Sequence, residues 1–220
     1  MSLPTAAIED VVFDVVDALR VPVLLAALIA LALVLVELGA LAVELRKRRR
    51  PDAAALERAA TAVRDATGPE ERAGAVLHLE LAATSNAMAR VLATIVATVG
   101  QPGAENRMAK TLADYDLGSL RRLERTRFLV RAGPALGLMG TLIPLSPALD
   151  GLARGDVQQL SDNLRIAFSV TVVGLLTGAL AFGISLVRDR LYAQDYSDVE
   201  FVAATLTTPA DQPVPAGAGA

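Results

Sequence analysis

The chain has 220 residues, of which 53% are hydrophobic, 20% charged and only 4% aromatic. With no Cys, no Trp and one His, it excludes disulfides, thiolate metal sites and Cys nucleophiles, and leaves too few parts for a His-rich metal centre or a Ser–His triad. A formal net charge of −3 gives no basic footprint for nucleic acid. The excess of Ala, Leu and Val over aromatics points to helices in lipid rather than to a soluble enzyme.

Residues 1–20 carry an amphipathic pattern, with Ile8, Val12, Val15, Val16 and Leu19 on one helical face. Such an extracytoplasmic helix suits the outer surface of a membrane. Residues 21–43 form an apolar run interrupted only by Glu37. At about 1.5 Å per residue the run crosses roughly 30 Å of hydrocarbon. The stretch before it is acidic, unlike a secretory signal, so a retained first span is predicted over 21–45. Residues 46–131 are rich in ionisable side chains at helical spacing and read as a helical cytoplasmic region. One helix opens at Pro51-Asp52, a longer one covers 70–99, and a third begins near Glu105 and runs into the second span. Gly68-Pro69 and Gly100-Gln101-Pro102-Gly103 supply the breaks.

Residues 132–149 and 166–187 contain no charge and form the second and third spans, separated by an expected extracytoplasmic loop over 150–165. A cytoplasmic helix follows over 188–207, and the Pro-, Gly- and Ala-rich tail 208–220 reads as disordered. The fold class is thus an all-α membrane protein with three transmembrane helices. The run Arg46-Lys47-Arg48-Arg49-Arg50 directly after the first span marks that end as cytoplasmic, placing the N-terminus outside and the C-terminus inside. Only Arg20, Arg154 and Arg165, three of 21 basic residues, then lie outside. The same basic run also offers a surface to acidic lipid head groups.

Small and polar residues mark the second and third spans. Ala167, Thr171, Gly174, Gly178, Ala181 and Ser185 follow one another at steps of 4, 3, 4, 3 and 4, which keeps them on one helical stripe. Gly133, Gly137, Gly140, Pro144 and Pro147 do the same at 4, 3, 4 and 3, with Thr141 beside Gly140. Such stripes allow close approach of another helix, and each proline frees a carbonyl one turn back. Thr141 lies about 12 Å and Thr171 about 8 Å from the outer ends of their spans. A hydroxyl at that depth can hold water or bond to a carboxylate. Packing alone and a polar ring in an oligomer both account for the pattern. Glu37 is the single acid within the apolar runs 21–43, 132–149 and 166–187 and a further candidate, with a helix–helix hydrogen bond or snorkelling toward the basic run as its other readings.

The segment Arg131-Ala-Gly-Pro-Ala-Leu-Gly-Leu-Met-Gly-Thr141 resembles the AP-x-LGLLGT signature of the MotA/TolQ/ExbB family. Ile166-Ala-Phe-Ser-Val-Thr171-Val-Val-Gly-Leu-Leu-Thr-Gly-Ala is similar to the same family's third-span motif, and the count of three spans resembles its TolQ/ExbB branch. The resemblance implies a homopentamer whose central pore is lined by Thr141 and Thr171. It further implies a TolR/ExbD-like single-span partner that supplies a membrane Asp, in a prokaryotic plasma membrane. No cofactor is implied. Where the family often has a Glu, five positions before the third-span Thr, this chain has Ile166, with Arg165 beside it as a further candidate. The expected function is a pore-forming subunit of an ion-driven, proton-coupled motor. The alternative is a non-conducting oligomeric scaffold. An enzyme is not expected, because no Gly-rich phosphate loop, metal spacing or nucleophile–base pair stands in the cytoplasmic region.

Overall fold

A computed structural model describes residues 5–50 and 52–208 of the chain. The expectations for the tail beyond residue 208 and for Pro51 as a helix opener lie outside the described residues. Among those described, all regular structure is helical, in seven helices. These are α1 (Thr5–Ala18), α2 (Arg20–Lys47), α3 (Ala53–Asp65), α4 (Pro69–Ala82), α5 (Asn86–Thr98), α6 (Ala104–Ala153) and α7 (Val157–Thr207). Three stretches are long and apolar enough to cross a membrane: Ile8–Lys47, Ala104–Ala153 and Val157–Thr207. They contain the three predicted spans. The chain divides into two units, one built from residues up to Leu41 with Glu124–Leu186, the other from Ala42–Leu123 with the residues from Val187 onward.

The first unit buries narrow stripes and leaves broad apolar faces open. On α2 the buried residues Val23, Ala27, Ala30, Val34 and Leu41 recur at helical spacing. Ala30, Val34 and Leu41 pack with Leu129, Ala181 and Ile184. Most of the remaining apolar side chains of α2, among them Leu25, Ile29, Leu33 and Val36, are exposed, as are Val11, Val12 and Phe13 of α1. In water these surfaces would be a large unfavourable term; in hydrocarbon they are the solvent-facing side.

The second unit has a conventional core. Leu56 of α3, Leu79 of α4, Met88, Leu92 and Ile95 of α5, and Val199 and Val202 of α7 are buried together. Asp52 caps α3 by accepting from the Ala55 N–H at 3.0 Å, and Pro69 stands in the first turn of α4 after Gly68. The single helix expected over 70–99 is corrected to two, α4 and α5, with a break at Ala83, Thr84 and Ser85. Ser85 caps α5 by accepting from the Met88 N–H at 3.2 Å. The Thr84 carbonyl accepts from the Arg49 N–H at 3.0 Å, and the Thr84 hydroxyl donates to Asp195. Arg49 thus takes the Thr84 carbonyl that a continuous helix would have used, while Asp195 holds the Thr84 side chain.

Candidate functional site

The site predicted on the second and third spans lies on α6 and α7, which form a tight hairpin within the first unit. The expected loop over 150–165 is corrected to three residues, Arg154, Gly155 and Asp156. The Gly155 N–H donates to the Leu152 carbonyl at 3.0 Å and the Asp156 N–H to the Gly151 carbonyl at 2.8 Å. This is a Schellman closure, and Gly155 takes the φ of 77° that it requires. Asp156 then caps α7, its carboxylate accepting from the Gln159 N–H at 2.9 Å. The polar residues that looked like a loop are helical. Gln158 donates to Asp162 at 3.2 Å one turn on, and Asn163 donates to the Gln159 carbonyl at 3.0 Å. Arg20 donates to the Asn163 side chain at 2.9 Å, tying the start of α2 to α7.

Along the seam the two helices touch backbone to backbone. A Cβ added at Gly174 would lie 2.5 Å from the Gly133 carbonyl oxygen and 2.7 Å from the Gly137 Cα. One added at Gly133 would lie 2.7 Å from the Gly174 carbonyl oxygen, and one at Gly178 would lie 2.8 Å from the Pro134 ring. Gly140 faces the Val170 side chain. The five small or cyclic residues predicted for packing, Gly137, Gly140, Pro144, Gly174 and Gly178, are all buried.

This register sets the level of the two threonines. Gly137 faces Thr171 and Gly140 faces Val170, so Thr141 and Thr171 stand within about one helical turn of each other. The Thr171 hydroxyl lies 3.0 Å from the Ala167 carbonyl of its own helix and 3.4 Å from the Gly137 carbonyl across the seam. Thr141 donates to the Leu138 carbonyl at 2.7 Å. Both residues are half-buried, and each hydroxyl oxygen keeps lone pairs to accept a donor.

Pro134, Pro144 and Pro147 lie inside α6 and remove the donors for the carbonyls of Val130, Gly140 and Ile143. Gly140 and Ile143 both line a small cavity of about 10 Å³, together with Arg20, Pro144 and Ile166. That is room for about one water molecule. Glu37 on α2 is half-buried and Arg165 on α7 is exposed, and neither lines this cavity. Arg20 does, although its sequence position suggested only a flanking charge; its place directly before an apolar run was the available signal.

A second polar constellation, in the second unit, was missed entirely. Arg48 and Asp195 form an ion pair in which the carboxylate side chain is 2% exposed and the Arg48 side chain 10%. Arg48 also donates to the Leu191 carbonyl at 3.0 Å, while Thr84 and, at 3.4 Å, Tyr115 donate to the Asp195 carboxylate. Arg48 is thus a buried structural cation rather than one more solvated member of the basic run. Burial first, and the Asp195 charge second, push the Tyr115 hydroxyl above its usual range. Asp198, about one turn beyond Asp195 on the same helix, is raised mainly by burial. Arg188 stands 3.5 Å from Glu44, which also accepts from the Tyr192 hydroxyl at 3.4 Å.

None of the curated proteins matches the chain. The sequence model of the MotA/TolQ/ExbB proton channel family matches residues 50–194, well over half of the chain and inclusive of both threonine-bearing motifs. With three helices able to cross a bilayer, the chain is a multi-pass membrane protein. It belongs to the MotA/TolQ/ExbB proton channel family.

Proposed function

We propose that this chain is the pore-forming subunit of a proton-driven membrane motor, assembled as a homopentamer around a TolR/ExbD-like partner with one span and a membrane Asp. The reading places the chain in a prokaryotic plasma membrane with its N-terminus outside and its C-terminus inside, and assigns no covalent chemistry to it. The observation that carries it is the pair Thr141 and Thr171, within a turn of each other on two helices in glycine contact. The apolar runs 21–43, 132–149 and 166–187 hold one acid, Glu37, so the carboxylate that carries the proton comes from the partner. Protonated, that carboxylate passes the apolar wall; ionised, it is held by hydroxyls and by water at the proline-freed carbonyls. One charge moved through about 150 mV releases roughly 3.5 kcal/mol, enough to bias a rotation or rocking step several-hundredfold.

Thr171→Val keeps the volume of the side chain and removes its hydroxyl. It is expected to abolish ion flux in liposomes holding the chain with its partner while the oligomer still assembles. Flux at the unmodified level in that variant would remove the hydroxyl from the mechanism. A scaffold that conducts nothing is the second reading, favoured by Ile166 in place of the family's frequent Glu. Absence of flux from the unmodified complex, with the partner bound, would establish it instead.

A further inference from the structure

We infer that the large cavity of the second unit is a binding site for a phosphate-bearing anion. The cavity measures about 710 Å³, within the range of small-molecule sites and far larger than a bare ion needs. Three acids face it, and each already has a cation. Asp195 is held by Arg48, Glu44 stands 3.5 Å from Arg188, and Asp114 pairs with Lys110 one turn earlier. Four cations face it as well; beyond Arg48, which pairs with Asp195, these are Lys47, Arg90 and Arg122, and among the described residues none of those three forms an ion pair with a carboxylate. The charge left over in the cavity is therefore positive, and it comes from α2, α5 and α6.

The rest of the wall suits the same ligand. Asn86 and Ala87 line the cavity at the first turn of α5, where backbone N–H groups have no partner within the helix. Arg guanidinium groups match phosphate oxygens in a two-pronged geometry, and Lys adds a point charge. Tyr115 and Tyr192 also line the cavity and leave space for the organic body of an ester. A soluble organophosphate and an anionic lipid head group share this chemistry. Occupancy would bridge the end of α2 to α5 and α6 through one anion.

The full chain, purified as its oligomer, carries its own reporter. It has no Trp and three Tyr, of which Tyr115 and Tyr192 line the cavity. Tyrosine emission is followed during titration with pyrophosphate in detergent, and in nanodiscs of phosphatidylglycerol against phosphatidylcholine. A saturable change in the pyrophosphate arm, in the phosphatidylglycerol arm, or in both supports the site and identifies the source. Lys47 and Arg90 are exposed, so their replacement spares the fold. The double variant Lys47→Ala/Arg90→Ala is expected to weaken the response by about tenfold or more, and Arg58→Ala on α3, outside the cavity, to leave it unchanged. No saturation in either arm, an unaltered double variant, or an equal loss in Arg58→Ala would overturn the proposal.

Discussion

The two units solve the packing problem in opposite ways. In the second, large side chains such as Leu79, Met88, Leu92 and Ile95 are fully buried, and water outside drives them together. In the first, large side chains such as Leu138, Leu142, Phe168, Val172, Leu175 and Phe182 point outward, and the contact between α6 and α7 is made by glycine. Lipid tails are as apolar as leucine, so nothing is gained by hiding leucine from them. What holds the hairpin is close backbone contact, and close contact needs the absence of a side chain. The same chain therefore reads as a soluble core in one unit and as an inside-out one in the other.

The sharpest way to break this contrast is at Gly174. Gly174→Leu places carbon into the Gly133 carbonyl and the Gly137 backbone, which cannot move aside as a side chain could. A loss of about 3 kcal/mol or more is expected, seen as a collapse of oligomer yield in size-exclusion chromatography. Gly183 lies further along the same helix with nothing within 4 Å of an added Cβ. Gly183→Ala should leave thermal stability within about 0.5 kcal/mol of the parent. If both variants behaved alike, the glycine seam would not be what holds the hairpin.

In the second unit the corresponding weak point is charge rather than volume. Asp195→Ala leaves the largely buried Arg48 without its carboxylate and is expected to cost about 3 kcal/mol, read as a lower melting temperature with α-helical content retained before the transition. Ser85→Ala removes the cap of α5 and should cost about 1 kcal/mol, measured in the same way. The smallest effect is in pH. The folded state holds the Tyr115 hydroxyl above its usual range near 10, so its contribution is intact below that pH and is lost as pH rises through it. Tyr115→Phe should flatten the alkaline limb of a stability profile; a limb unchanged by the substitution would mean that other groups set it.

What was legible in the sequence divides along the same line. The spans and the small-residue stripes are local patterns with helical period; that the two stripes face each other is seen only in the fold. The breaks at residues 68–69 and 100–103 followed from the placement of Pro and Gly. The break at residues 83–85 did not, because it depends on Arg49 and on Asp195, the latter 111 residues from Thr84. Asp195 itself looks like any acid on an exposed helix until Arg48, 147 residues away, is seen beside it. The polar segment 157–165 misled for another reason. Polarity suggested a loop, whereas the i to i+4 pairing of Gln158 with Asp162 serves a helix equally well.

The turn at Gly155 also bears on how the protein is made. Only Arg154, Gly155 and Asp156 separate two helices of 50 and 51 residues. Closing so short a connection costs little chain entropy, and the seam then runs outward from the turn, from Gly140 against Val170 to Gly133 against Gly178. So short a tether leaves α7 little room to search before it meets α6.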